Sequence, residues 1–124
     1  MLPRSRVDLP SLRAALWAAR ALRVARRDLK RQGLEGAQVA APPRLPASAG
    51  RGVMAVLRRQ PNSCLERALV LQRWEASHGA GADVIIGVPA LGEDEFVAHA
   101  WLETMPDGSL DRFHEILRIP APAE

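Results

Sequence analysis

Tyrosine is absent from this 124-residue sequence, cysteine occurs once, and Lys30 is the only lysine. Each shortage excludes something. A lone cysteine, Cys64, can form no internal disulfide and no cysteine-rich metal site, so the expected home is a reducing compartment, a cytoplasm of bacterial type. The three histidines lie scattered between His78 and His114, with no paired ligand spacing to Cys64. Neither zinc nor any other cofactor is therefore expected. Two phenylalanines and no tyrosine leave little for stacking bases. Although the pI is about 10.4, 17 basic residues face 14 acidic ones for a net charge of +3, so nucleic acid is not an expected partner. Long uncharged runs are missing too. Arg13, Arg20, Arg23, Arg26 and Arg27 interrupt the apolar series of the first thirty residues, which excludes a bilayer span, and no small-residue cleavage site follows a clean apolar region. The chain reads as soluble, without repeats or low-complexity segments.

Hydrophobic residues make up 48% of the sequence, enough for the core of one compact domain spanning 1–124. Its first part, 1–47, reads as a helix and a Pro-rich connector, and 48–119 as the core. From about Pro10 to Arg31, Leu12, Ala15, Leu16, Ala19, Leu22, Ala25 and Leu29 recur at three- and four-residue steps and predict a helix that buries this face. Arg13, Arg20, Arg27 and Arg31 lie opposite, with Trp17 and Val24 on the same row, a strip able to dock an acidic peptide or partner. Gly33-Leu34-Glu35-Gly36 ends that helix, and the prolines at 42, 43 and 46 forbid another before about Gly52. A second helix runs to Gln60, where Pro61 stops it. A third, from Cys64 to about Ser77, is apolar almost all the way round and should be buried on most sides. His78 follows at its negative end. The period then changes to two: strands are predicted over 83–88, over 96–103, and from Ser109 onward. Helices followed by an antiparallel sheet make an α+β arrangement.

Chemistry concentrates around Cys64. Ser63 can accept the Glu66 amide while the Glu66 carboxylate takes the Ser63 amide, a reciprocal cap that puts Cys64 in the first helical position. Free amides and the helix dipole favour negative charge there, the condition that activates a thiol. His99 stands in the second predicted strand on a face with Val97, Trp101 and Glu103, opposite the apolar Phe96, Ala98, Ala100 and Leu102. A thiol at a helix start and a histidine on a following strand are the two parts a cysteine nucleophile needs. A third group should orient the imidazole. Asp111 leads, on the strand expected beside that of His99, but counting places it opposite Leu102, three residues out of register. Glu103 and Glu115 therefore remain alternatives, and His114 reads as structural or exposed.

Ser63-Cys64-Leu65-Glu66-Arg67, Ile86-Gly87-Val88 and His99-Ala100-Trp101 together resemble the transglutaminase-like cysteine peptidases of lasso-peptide biosynthesis, which remove the leader from a ribosomal precursor. The likeness covers roughly Pro61 to Phe113. It implies a transglutaminase-like, papain-like α+β fold with a central Cys-bearing helix packed on a small antiparallel sheet, and a Cys64, His99 and Asp111 triad. Arg67 matches an arginine one turn after the nucleophile, and Trp101 a residue packed beside the imidazole. The oxyanion would be held by the Cys64 amide with Asn62 or Gln60. A chain this short corresponds to the stand-alone type, which acts on the precursor's leader peptide with a separate leader-recognition protein and passes the core peptide to an ATP-dependent cyclase. Acyl transfer to an amine, or a non-enzymatic interaction module using the first helix, are the competing readings. In the second, Cys64 and His99 would lie far apart.

Overall fold

A computed structural model describes residues 8–33, 39–89, 98–105 and 113–122. In chain order the elements are α1 (Leu9–Gln32), a 3-10 turn (Ala47–Ala49) leading into α2 (Gly50–Arg59), α3 (Cys64–Ala76), β1 (Val84–Pro89), β2 (His99–Leu102) and β3 (Phe113–Ile119). Three helices and a three-stranded antiparallel sheet make the expected α+β fold. The chain divides into two compact units, Met1–Pro61 and Asn62–Glu124. Within the first unit, α2 packs on α1.

In the first unit, Asp8 caps α1. One carboxylate oxygen accepts the Ser11 amide at 2.8 Å and the other meets Arg51 Nη2 at 2.9 Å. These contacts, Ser11 foremost, hold the Asp8 carboxyl below its ordinary range. The helix then buries a row of small residues, Ser11, Ala14, Ala18, Ala21 and Ala25, together with Leu22. Small side chains let two backbones approach closely, and Gly52 completes the approach. A methyl group there would stand 2.1 Å from the Ser11 carbonyl oxygen. Helices α1 and α2 run in the same sense, with Ser11 beside Gly52 at one end and Arg26 Nη2 donating to the Pro61 carbonyl at 2.7 Å at the other. Past the end of α1, the Ala40 carbonyl accepts from Trp17 Nε1 at 3.1 Å.

This packing corrects the predicted core face of α1. Leu22 and Ala25 are buried as expected, but Leu12 and Leu16 face outward, 44% and 65% exposed. Apolar periodicity weights large side chains, whereas a close helix pair selects small ones.

In the second unit, α3 is buried on most sides as its all-round apolar sequence predicts, through Ala68, Leu69, Val70, Leu71, Trp74 and Ala76. His78, just past its end, donates from Nδ1 to the Trp74 carbonyl at 2.8 Å, and its ring lies against the Trp74 indole. The strand order is β2-β1-β3. This corrects the expected neighbour of the third strand: β3, from Phe113, pairs with β1, which lies between it and the His99 strand, and Leu102 faces Val84. A bulge between Ile86 and Gly87 shifts the β1–β3 register.

Gln72 ties α3 to the sheet ends. Its buried Nε2 donates to the carbonyls of Ala82, Ile119 and Pro120 at 3.0, 3.0 and 3.2 Å. Gln72→Leu keeps the volume but strands these acceptors, so it should lower the unfolding free energy by about 1–3 kcal/mol. Urea denaturation checks this, and an unchanged midpoint would contradict it.

Candidate active site

The reciprocal cap forms as the spacing predicts. Glu66 N donates to Ser63 Oγ at 3.1 Å, and Ser63 N to the Glu66 carboxylate at 3.0 Å. Glu66 is accordingly buried although charged. Cys64 opens α3 and remains a free, half-buried thiol.

Among the described residues, strand β2 pairs with β1 on one side only and so leaves alternate amides on its other edge. Cys64 Sγ occupies that edge, where it accepts the Ala100 amide at 3.3 Å. The sulfur therefore lies on the peptide that joins His99 to Ala100. Two backbone bonds separate the Ala100 nitrogen from the His99 Cα, so Sγ is within about 6 Å of that Cα. Residues far apart in sequence, 64 and 99, meet because the capped start of α3 abuts the edge of β2.

His99 is half-buried and carries aromatic neighbours on its face of the sheet. Its ring centroid lies 5.6 Å from that of Trp101, nearly parallel at 26°, and 5.1 Å from that of Phe113. Trp101 thus packs beside the imidazole as the resemblance implied. Phe113 stands two strands away and reaches His99 only because Gly87 intervenes. A Cβ at Gly87 would approach Trp101 Cη2 to 3.2 Å, Phe113 Cβ to 3.1 Å and the His114 carbonyl oxygen to 2.8 Å. The glycine of Ile86-Gly87-Val88 is therefore a spatial requirement for the rings that hold the histidine. Phe113 was missed from the sequence, since its contact depends on the β3–β1 pairing.

Asp111 lies outside the described residues. Glu103 and Glu115, the alternative acids, both bind Arg118. Its Nη1 meets Glu103 at 3.0 Å, and its Nε and Nη2 meet the two oxygens of Glu115 at 2.5 and 3.1 Å. A weaker contact to Asp83 at 3.3 Å completes the cluster. Arg118 is held in its charged form more firmly than a free guanidinium, by Glu115 first and Glu103 next. Both acids thus serve to cross-link strand ends. His114 is exposed, and Arg67 is half-buried with no ion pair among the described residues. Among the described residues, no helix is long and apolar enough to cross a membrane, and no group of three His, Cys, Asp or Glu residues is placed to hold a metal.

No curated protein and no solved structure matches the chain significantly. Family comparison does give a match: over residues 8–118 the chain matches the transglutaminase-like superfamily, and it belongs to that superfamily, a membership that points to cysteine-peptidase or acyltransferase-like chemistry.

Proposed function

We propose that this protein is a cysteine peptidase that removes the leader peptide from a ribosomally made lasso-peptide precursor, with Cys64 as nucleophile, His99 as general base and acid, and Asp111 orienting the imidazole. The observation that carries this reading is the placement of Cys64 Sγ on the peptide between His99 and Ala100, at the capped start of α3. A module that used neither residue would have no need to bring them together. The commitment of Glu103 and Glu115 to Arg118 favours Asp111 among the three acids.

In the reaction, the Cys64 thiolate attacks the scissile carbonyl and the C–N bond breaks as His99 delivers its proton to the leaving amine. Water then attacks the thioester with His99 as base, releasing the leader with a free carboxylate and restoring the thiol. The cap occupies the amides of Ser63 and Glu66 and leaves that of Cys64 for the oxyanion. Asn62, in the same compact unit, is the candidate second donor. A separate leader-recognition protein presents the substrate, and an ATP-dependent cyclase consumes the core.

Incubation of the purified protein with precursor and recognition protein, in water enriched in heavy oxygen, tests this. Mass spectrometry should find a leader fragment that has taken up one heavy oxygen at its new C-terminus. A leader joined to an added amine would instead identify an acyltransferase, and an intact precursor under all conditions would remove the proposal.

A further inference from the structure

The outward side of α1 changes chemistry halfway along its length. Leu9, Leu12 and Leu16 are 67%, 44% and 65% exposed and, three and four positions apart, share one stripe. Arg20, Arg23, Arg27 and Lys30 continue the same stripe at the same spacing, all exposed. An open basin of about 640 Å³ lies along this second half, lined by those cations with Val24 and Arg26. Over residues 20–31 six basic side chains meet one acidic residue, Asp28.

Neither half favours the isolated helix. Like charges three and four positions apart repel, and contiguous exposed leucines lose the benefit of burial. Both become favourable against one complementary surface. We infer that this stripe docks an amphipathic acidic segment of a partner polypeptide, whose apolar residues cover the three leucines and whose carboxylates meet the cations. Charge complementarity fixes the sign of the partner, and the order of the halves along α1 fixes the order of its residues. From Leu9 to Lys30 the stripe extends about 32 Å, the length of a helix of some 20 residues.

Other occupants fit less well. An interfacial helix on an anionic bilayer needs its apolar and basic residues on opposite sides of its circumference, whereas here they follow one another along the axis. A nucleic acid would leave the leucines unused and finds no aromatic ring in the stripe. The inference concerns the first compact unit and stands independently of the catalytic reading.

The test is fluorescence anisotropy of the full-length protein with a labelled peptide of about 20 residues, leucines at three- and four-residue steps in one half and glutamates at the same steps in the other. Binding should weaken with salt, and should fall at least about tenfold with a scrambled peptide of equal composition, with Arg20→Glu/Arg23→Glu, and with Leu12→Ser/Leu16→Ser. A peptide with lysines in place of glutamates should restore binding to the charge-reversed variant, which a misfolded protein could not do. Equal binding of the scrambled peptide would overturn the inference. So would tighter binding, through the same residues, of phosphatidylglycerol vesicles or of an RNA oligonucleotide.

Discussion

Cys64→Ala should leave a folded protein that cleaves its precursor on the order of 10⁴-fold more slowly, the largest effect expected of any single replacement. Two consequences of the substitution differ in size. Removing Sγ takes an acceptor from the Ala100 amide at the sheet edge, which costs about 1 kcal/mol at most because the cap and the packing of α3 remain. Removing the nucleophile takes away the covalent route altogether. Thermal unfolding and single-turnover cleavage on the same preparation separate the two. His99→Gln should behave similarly. Among the acids, Asp111→Asn should cost about 10²–10⁴-fold in kcat, whereas Glu103→Gln and Glu115→Gln should alter mainly stability, since their oxygens serve Arg118. Should Glu115→Gln instead abolish cleavage with the fold intact, the orienting acid would be Glu115. Undiminished cleavage by Cys64→Ala would end the catalytic proposal.

What made Cys64 legible was local chemistry. A Ser-x-x-Glu cap is written in four consecutive residues, and both of its hydrogen bonds form as the spacing requires. The strand period around Ile85 and Ala100 was equally readable, because alternation and β-branching are also local. Pairing order was not. Proximity in sequence suggested a hairpin between the strands of His99 and Phe113, yet β1 lies between them. That choice depends on how Gly87 admits the rings of Trp101 and Phe113, a contact among three strands that no short window contains. Hence the acid behind the histidine could not be reached by counting residues across a supposed turn.

The misread face of α1 has the same origin. Leucine periodicity at 12 and 16 competes with an alanine row at 14, 18, 21 and 25, and sequence alone ranks the leucines higher on burial energy. Gly52 decides the matter, because a backbone pressed against Ser11 accommodates only small residues between the two helices.

Gly52→Ala should therefore be strongly destabilising, against the usual preference of helices. In an ordinary helix interior, alanine is favoured over glycine by about 1 kcal/mol. Here the added methyl would lie 2.1 Å from the Ser11 carbonyl oxygen and 3.2 Å from the Ala15 amide nitrogen, both backbone atoms that cannot rotate away. The helices must separate, and the buried contacts of Ala14 and Ala18 loosen with them. Overpacking of this kind costs up to about 3 kcal/mol or somewhat more, which outweighs the gain in propensity and leaves a net loss of about 2–3 kcal/mol. For a chain of this size that corresponds to a fall of about 10 °C in Tm. Gly81→Ala is the control, since its methyl would meet only Ala121 Cβ at 3.5 Å, an ordinary contact. Calorimetry on the two variants discriminates: equal melting temperatures would mean that α1 and α2 do not approach through Gly52, and the outward leucines of the docking stripe would lose their explanation as well.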